Sequence, residues 1–132
     1  LHYKYYMFVT EQESNKIPTE IIINKNKFCV EFVFSNKCIQ TLSFEFLRVH
    51  SPSAEVVGHS KDQEVIQVGK KNIKILAIEP IGNYAVKPRF SDGHDTGIYS
   101  WSYLNWLLDN KQLLWDKYLY KIDNIGASRE QN

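Results

Sequence analysis

The chain is poor in the residues that staple, coordinate or redirect a fold. It holds two cysteines, one methionine, four prolines and six glycines. Cys29 and Cys38 do not have zinc-knuckle spacing, and no second pair accompanies them. A disulfide across a hairpin stays open as an alternative, but Cys29 lies in an apolar run, so a buried free thiol is the expectation. An excess of one charge is also lacking: 16 basic and 15 acidic side chains leave a formal +1. No global field therefore draws the chain to nucleic acid or to anionic lipid. Lys70, Lys71 and Lys74 read as a solvated turn and strand edge. No segment approaches the roughly 18 apolar residues of a membrane helix. Neither a sustained apolar leader nor a small-residue cleavage site opens the sequence, so a cytoplasmic location is expected.

What is present points to one globular domain. Hydrophobic residues make up 43% and aromatics 14% of 132 residues, enough for a core without staples. Residues 1–16 read as a tail or an added strand, 17–126 as the domain and 127–132 as a polar tail. Residues 20–24 and 28–34 are apolar runs around a polar turn, a hairpin signal, and 39–41 supply a third strand. Ser43 reads as the cap of a short helix over 44–49, which Pro52 prevents from extending. Residues 51–62 form a polar loop. Short strands are expected at 64–68, 73–78 and 84–90. Pro80 and Gly82 mark a turn or bulge, and Pro88 puts the last strand on an edge or near its end. Ser91-Asp92-Gly93 is a tight turn. Ser100 caps a helix over 101–108, a second covers 110–125, and Gly126 closes it. The class is α+β: a small antiparallel sheet of about five to six strands, with C-terminal helices packed at one end.

Common catalytic patterns are missing. There is no phosphate-cradling G-x-x-x-x-G-K-[ST], no G-x-S-x-G elbow and no H-E-x-x-H. The four histidines are His2, His50, His59 and His94, and two residues on stand Lys4, Pro52, Lys61 and Thr96. None completes the carboxylate of an iron facial triad. The densest polar stretch runs from Ser91 to Trp101. His94 there is either a metal ligand or acid/base group oriented by Asp92 or Asp95, or a structural residue in a turn whose aspartates bond backbone amides. A second stretch runs from Leu47 to His59. Its Arg48 can grip a carboxylate, internal or a partner's, and His50 and His59 read as loop residues.

These stretches carry a resemblance. Leu47-Arg48, Ser51-Pro52-Ser53-Ala54-Glu55-Val56, Gly82-Asn83-Tyr84-Ala85 and Asp92-Gly93-His94-Asp95-Thr96-Gly97-Ile98-Tyr99-Ser100-Trp101 resemble the DUF971 domain. That domain precedes the catalytic part of gamma-butyrobetaine hydroxylase and also occurs alone in bacteria. Leu114-Trp115 and Gly126-Ala127-Ser128-Arg129 resemble the stand-alone form. In the hydroxylase a Cys-x-Cys-x-x-Cys loop and the histidine of an Asp-Gly-His turn hold zinc. The resemblance carries those ligands onto Ser51, Ser53, Val56 and His94, so three of the four are lost. The chain is therefore expected to bind no zinc and no cofactor there, with hydrogen bonds among Ser51, Ser53 and His94 securing the loops instead. No oxygenase activity travels with the resemblance.

The leading expectation is a non-catalytic protein-interaction or oligomerisation module whose partner is another protein or a second copy. Arg48, His59, Asp92, His94, Tyr99 and Trp101 are its candidate surface residues, with Ser51 and Ser53 organising the loops; the other reading of Tyr99 and Trp101 is core packing of the following helix. Two alternatives stand beside it. One is an accessory factor in iron–sulfur or other metal handling that uses Cys29, Cys38, His59 and His94. The other is an enzyme using His94 with Asp92 or Asp95 as general base.

Overall fold

The computed structural model describes residues 2–4, 17–58 and 64–131. Four strands come first: β1 (His2–Lys4), β2 (Glu20–Asn24), β3 (Cys29–Val33) and β4 (Ile39–Ser43). They form one antiparallel sheet in chain order. Two short helices follow, α1 (Phe44–Val49) and α2 (Ala54–Val57). Strands β5 (Ile75–Ile81), β6 (Ala85–Phe90) and β7 (Tyr99–Ser100) make a second antiparallel sheet, also in order. Helices α3 (Trp101–Asp109) and α4 (Lys111–Asn124) close the chain. The class is α+β, with the strands shared between two sheets. Of residues 1–16, only 2–4 are described; they extend the first sheet by pairing with β2.

Period-two alternation decides which face each strand buries. Ile21 and Ile23 on β2, and Val30 and Phe32 on β3, point into the core. Cys29, Glu31 and Val33 occupy the opposite face and are half-buried. Cys29 is thus a free thiol, but not a buried one; Cys38 is free and exposed. Helix α1 lies between the sheets with all six residues buried. Phe44, Phe46 and Leu47 join Ile75, Ile78, Val86 and Phe90 of the second sheet and Leu104, Leu107 and Leu108 of α3 in one core.

Local signals in the sequence act where they stand. Ser43 Oγ accepts from the Phe46 amide (2.9 Å) and starts α1. Ser100 Oγ accepts from the Tyr103 amide (3.1 Å) and starts α3. Gly126, at φ +66°, ends α4: its amide donates to Asp123 O and that of Ala127 to Ile122 O, both about one helical turn back. Ser100→Ala is expected to cost about 1 kcal/mol in urea unfolding. A change within a few tenths would show that tertiary packing alone holds this helix start.

Some expectations are corrected. Residues 64–68 form no strand. Val65 donates to Val56 O (2.9 Å) and Gly69 to Ser128 O (2.9 Å), which ties the segment to α2 and to the C-terminal residues rather than to a sheet. Pro80 lies inside β5, opposite Val86, and the irregularity comes earlier, between Ile75 and Ala77. Pro88 does fall near its strand's end: it lies two residues before the end of β6, past Ala85 and Val86, the residues that β7 pairs. Residues 127–131 are no loose tail. Arg129 reaches buried Glu45 through two hydrogen bonds (2.8 and 2.7 Å) and lies over the Trp115 ring.

Candidate functional site

The end of α1 and the turn after β6 meet in space. Asp92 accepts from Arg48 Nε (2.9 Å), Lys70 Nζ (2.7 Å) and the His94 amide (3.1 Å). Burial disfavours its charge, but Lys70, the His94 amide and Arg48 outweigh that and hold its pKa at about 2. Arg48 is buried with its guanidinium over the Phe90 ring, and its Nη1 has no hydrogen-bond partner among the described residues.

Two residues further on, the His94 side chain is only 4% exposed. Its Nδ1 lies 3.3 Å from Glu55 Oε2, and its Nε2 lies 2.8 Å from Ser51 Oγ. The carboxylate can only accept, so Nδ1 carries the hydrogen. The neutral ring then accepts from the Ser51 hydroxyl at Nε2. Burial, and then the Arg48 charge, push the imidazole pKa down and keep the ring neutral. Asp92 bonds the backbone of His94, not its ring. Asp95 is exposed and is not among the ring's partners. The carboxylate on the ring is Glu55, which the sequence reading missed. The N-cap of α2 is the signal that could have found it: Ser53 Oγ accepts from the Glu55 amide (3.2 Å), and this sets Glu55 on the helix's first turn beside His94.

Ser51, His94 and Glu55 have the connectivity of a hydrolytic relay. Access is what they lack. Ser51 is fully buried, and Gly97 is pressed so close that a Cβ there would lie 2.4 Å from Ser51 Oγ. A nucleophile needs an electrophile within about 3–3.5 Å, and Gly97 already fills that space. Around this pair the loops are locked further. Ser51 Oγ accepts from the Ser53 amide (3.3 Å), and Ser53 Oγ shares a hydrogen bond with Thr96 Oγ1 (2.9 Å). Tyr99 Oη donates to Leu47 O.

Tyr99 and Trp101, candidates for an interaction surface, face inward at 0% and 7% exposure, and Trp101 Nε1 donates to Asn83 O (2.7 Å). Both follow β6 into the core, so their rings pack rather than project. Arg48, Ser51, Ser53 and His94 are also buried; Asp92 alone of the described candidates reaches solvent. His59 lies outside the described residues. His50 is half-buried and directed elsewhere, with Nδ1 donating to Phe46 O (2.8 Å).

The donor set does not fit zinc. Ser51 and Ser53 offer hydroxyls, Val56 offers none, and His94 Nε2 is spent on Ser51. Among the described residues no three His, Cys, Asp or Glu side chains gather as metal ligands. Cys29 opens β3, whereas Cys38 lies in the turn past its far end. With a strand rise of about 3.3 Å per residue, the two thiols are roughly 10 Å or more apart.

Sequence and structure comparisons agree on a family. The family model described as gamma-butyrobetaine hydroxylase-like, N-terminal, matches residues 21–105. One solved structure, described as an NMR solution structure, is 45% identical, with a TM-score of 0.75 over 94% of this chain and 92% of the other. A second NMR structure is 41% identical, with a TM-score of 0.75 over 88% of this chain and 91% of its own. A crystal structure of a DUF971-family protein of unknown function from Acidithiobacillus ferrooxidans is 33% identical, with a TM-score of 0.59 over 71% and 94%. No curated protein matches the chain.

Proposed function

The chain belongs to the gamma-butyrobetaine hydroxylase-like N-terminal (DUF971) family, and from its site we propose a non-catalytic protein-interaction module in which a polar lock stands where the resemblance puts zinc. One observation carries this reading: Ser51, the hydroxyl partner of buried His94, is itself fully buried with Gly97 pressed against it. A general base needs a substrate within reach of the group it activates, and the close approach of Gly97 leaves no room for one beside Ser51. Surface chemistry supports the interaction half. The polar groups of the lock are mostly buried, while Trp106, Leu113 and Tyr120 on the last two helices are 48%, 57% and 68% exposed. Exposed bulky apolar side chains of this kind anchor interfaces. The same reading takes the chain to be cytoplasmic, where thiols such as Cys29 and Cys38 stay reduced. No helix among the described residues is long and apolar enough to cross a membrane.

Two measurements test this. A fluorophosphonate that labels activated serines is expected to leave the native chain unmodified. Labelling at Ser51 that vanishes in His94→Ala would make the site a working relay and end the proposal. Elemental analysis of purified protein is expected to find no stoichiometric zinc, because three thiolates' share of a binding energy on the order of 10 kcal/mol is absent. One equivalent per chain would remove the lock from the argument.

A further inference from the structure

A cavity of about 330 Å³ opens between α4 and residues 64–67, next to the lock. Ser51 borders it without exposing any area to it. Its walls are largely apolar, including Val49, Ile66, Leu114 and Tyr118, and Val57, Val65 and Trp106 are exposed at its rim. That volume is near the lower end for a ligand site and suits a single aromatic side chain.

Two polar groups in it are unused. His50 donates from Nδ1 to Phe46 O, and burial lowers its pKa, so the ring is neutral and Nε2 carries a lone pair. No described residue donates to that lone pair. The hydroxyls nearby are already engaged: Tyr103 donates to His50 O (2.6 Å) and Tyr118 to Gln67 O (2.7 Å). At the mouth Lys121 is paired with Glu64 (2.8 Å), but no carboxylate among the described residues pairs with Lys117. The vacant site therefore asks for an aromatic ring, a hydroxyl to reach His50 and a carboxylate to meet Lys117.

The chain itself exposes that combination. Tyr120 is the most exposed large hydrophobic side chain among the described residues, and Asp116 is one helical turn before it on α4. Gln112 bonds one oxygen of Asp116 (3.0 Å) and leaves the other. At 100° per residue, Lys117 and the cavity wall lie on one side of the Leu113–Asn124 ridge, and Asp116 and Tyr120 lie on the other. A two-fold axis parallel to α4 sets each flank against the opposite flank of a second copy, as an isologous contact requires.

We propose that a second copy of this chain docks along α4, seating its Tyr120 in the cavity beside His50 and its Asp116 against Lys117. This rests on the interaction-module reading and gives it a surface and a partner. The test is sedimentation velocity over a concentration series, in reductant so that exposed Cys38 cannot cross-link copies. The wild-type chain is expected to dimerise reversibly. Tyr120→Ala is expected to weaken the dimer about tenfold or more, as loss of a buried aromatic anchor does. Lys117→Glu and Asp116→Lys are each expected to weaken it alone and to restore it when the two variants are mixed. All three side chains are exposed, so far-UV circular dichroism should not change. A wild-type chain still monomeric at about 1 mM, where association is worth only about 4 kcal/mol, overturns the dimer and leaves the absence of serine labelling untouched. A dimer indifferent to Tyr120→Ala overturns this surface while keeping the module reading.

Discussion

Asp92→Ala is expected to destabilise the protein by about 3 kcal/mol at neutral pH, the low end for breaking a buried ion pair. Arg48 is the reason. Its side chain is 8% exposed, and Asp92 is its one carboxylate partner among the described residues. Without Asp92 the guanidinium stays in the core with no countercharge, and its Nη1 is already unpartnered among the described residues. Removing the other cation on Asp92 should matter far less. Lys70 is more open to water at 21% exposure, and Lys70→Ala is expected to cost about 0–1 kcal/mol. The pH dependence has a definite sign. The Asp92 pKa falls from an ordinary 3.8 to about 2 in the folded chain. Its contribution is therefore complete above about pH 4 and is lost as pH falls through 2. Asp92→Asn should flatten the unfolding free energy across that window. Urea denaturation at several pH values measures both effects. An Asp92→Ala cost below about 0.5 kcal/mol, the range of an ordinary surface change, would mean that Arg48 finds solvent when released.

The second large effect is expected at Gly97. An added Cβ would lie 2.4 Å from Ser51 Oγ, 3.2 Å from the Tyr99 ring and 3.4 Å from Pro52 Cδ. Ser51 cannot simply turn away, because its hydroxyl is held at 2.8 Å by His94. Gly97→Ala is expected to cost about 3 kcal/mol, in the upper range for overpacking. Ser51→Ala alone should cost about 1–2 kcal/mol, through the hydrogen bond it removes. Combined, the two should cost at least about 1 kcal/mol less than their sum, since the worst contact disappears with the hydroxyl. Strictly additive costs would show that Gly97 is needed for some other reason. Gly93 is the contrast. Its φ of +89° is left-handed, yet nothing lies within 4 Å of a Cβ placed there. Gly93 is needed for its backbone angle and Gly97 for room.

Much of the fold was legible because the interactions that encode it are local. A cap serine and the amide three residues on have fixed spacing, so Ser43 and Ser100 could be read directly. Two apolar runs around a polar turn identified β2 and β3, and Gly126 marked the end of α4. The site was legible only as a list of residues. Resemblance brought Ser51, Ser53 and His94 together, but it gave Glu55 and Thr96 no role in the lock. Residue type left Tyr99 and Trp101 open between an interface and core packing of the following helix, and they are core. Residues 64–68 misled because β-branched composition looks the same whether or not a strand edge is free to pair with it.

By itself, then, the sequence determined the α+β class, the caps and the two-loop pattern. Each of these is a property of residue type or of neighbours a few positions apart. Only the tertiary structure decided that the strands split into two sheets around α1, that His94 is sealed between Ser51 and Glu55, and that Arg129 returns to Glu45. Those contacts join residues about forty to eighty positions apart. Their geometry depends on how the whole core packs, and no local spacing records it.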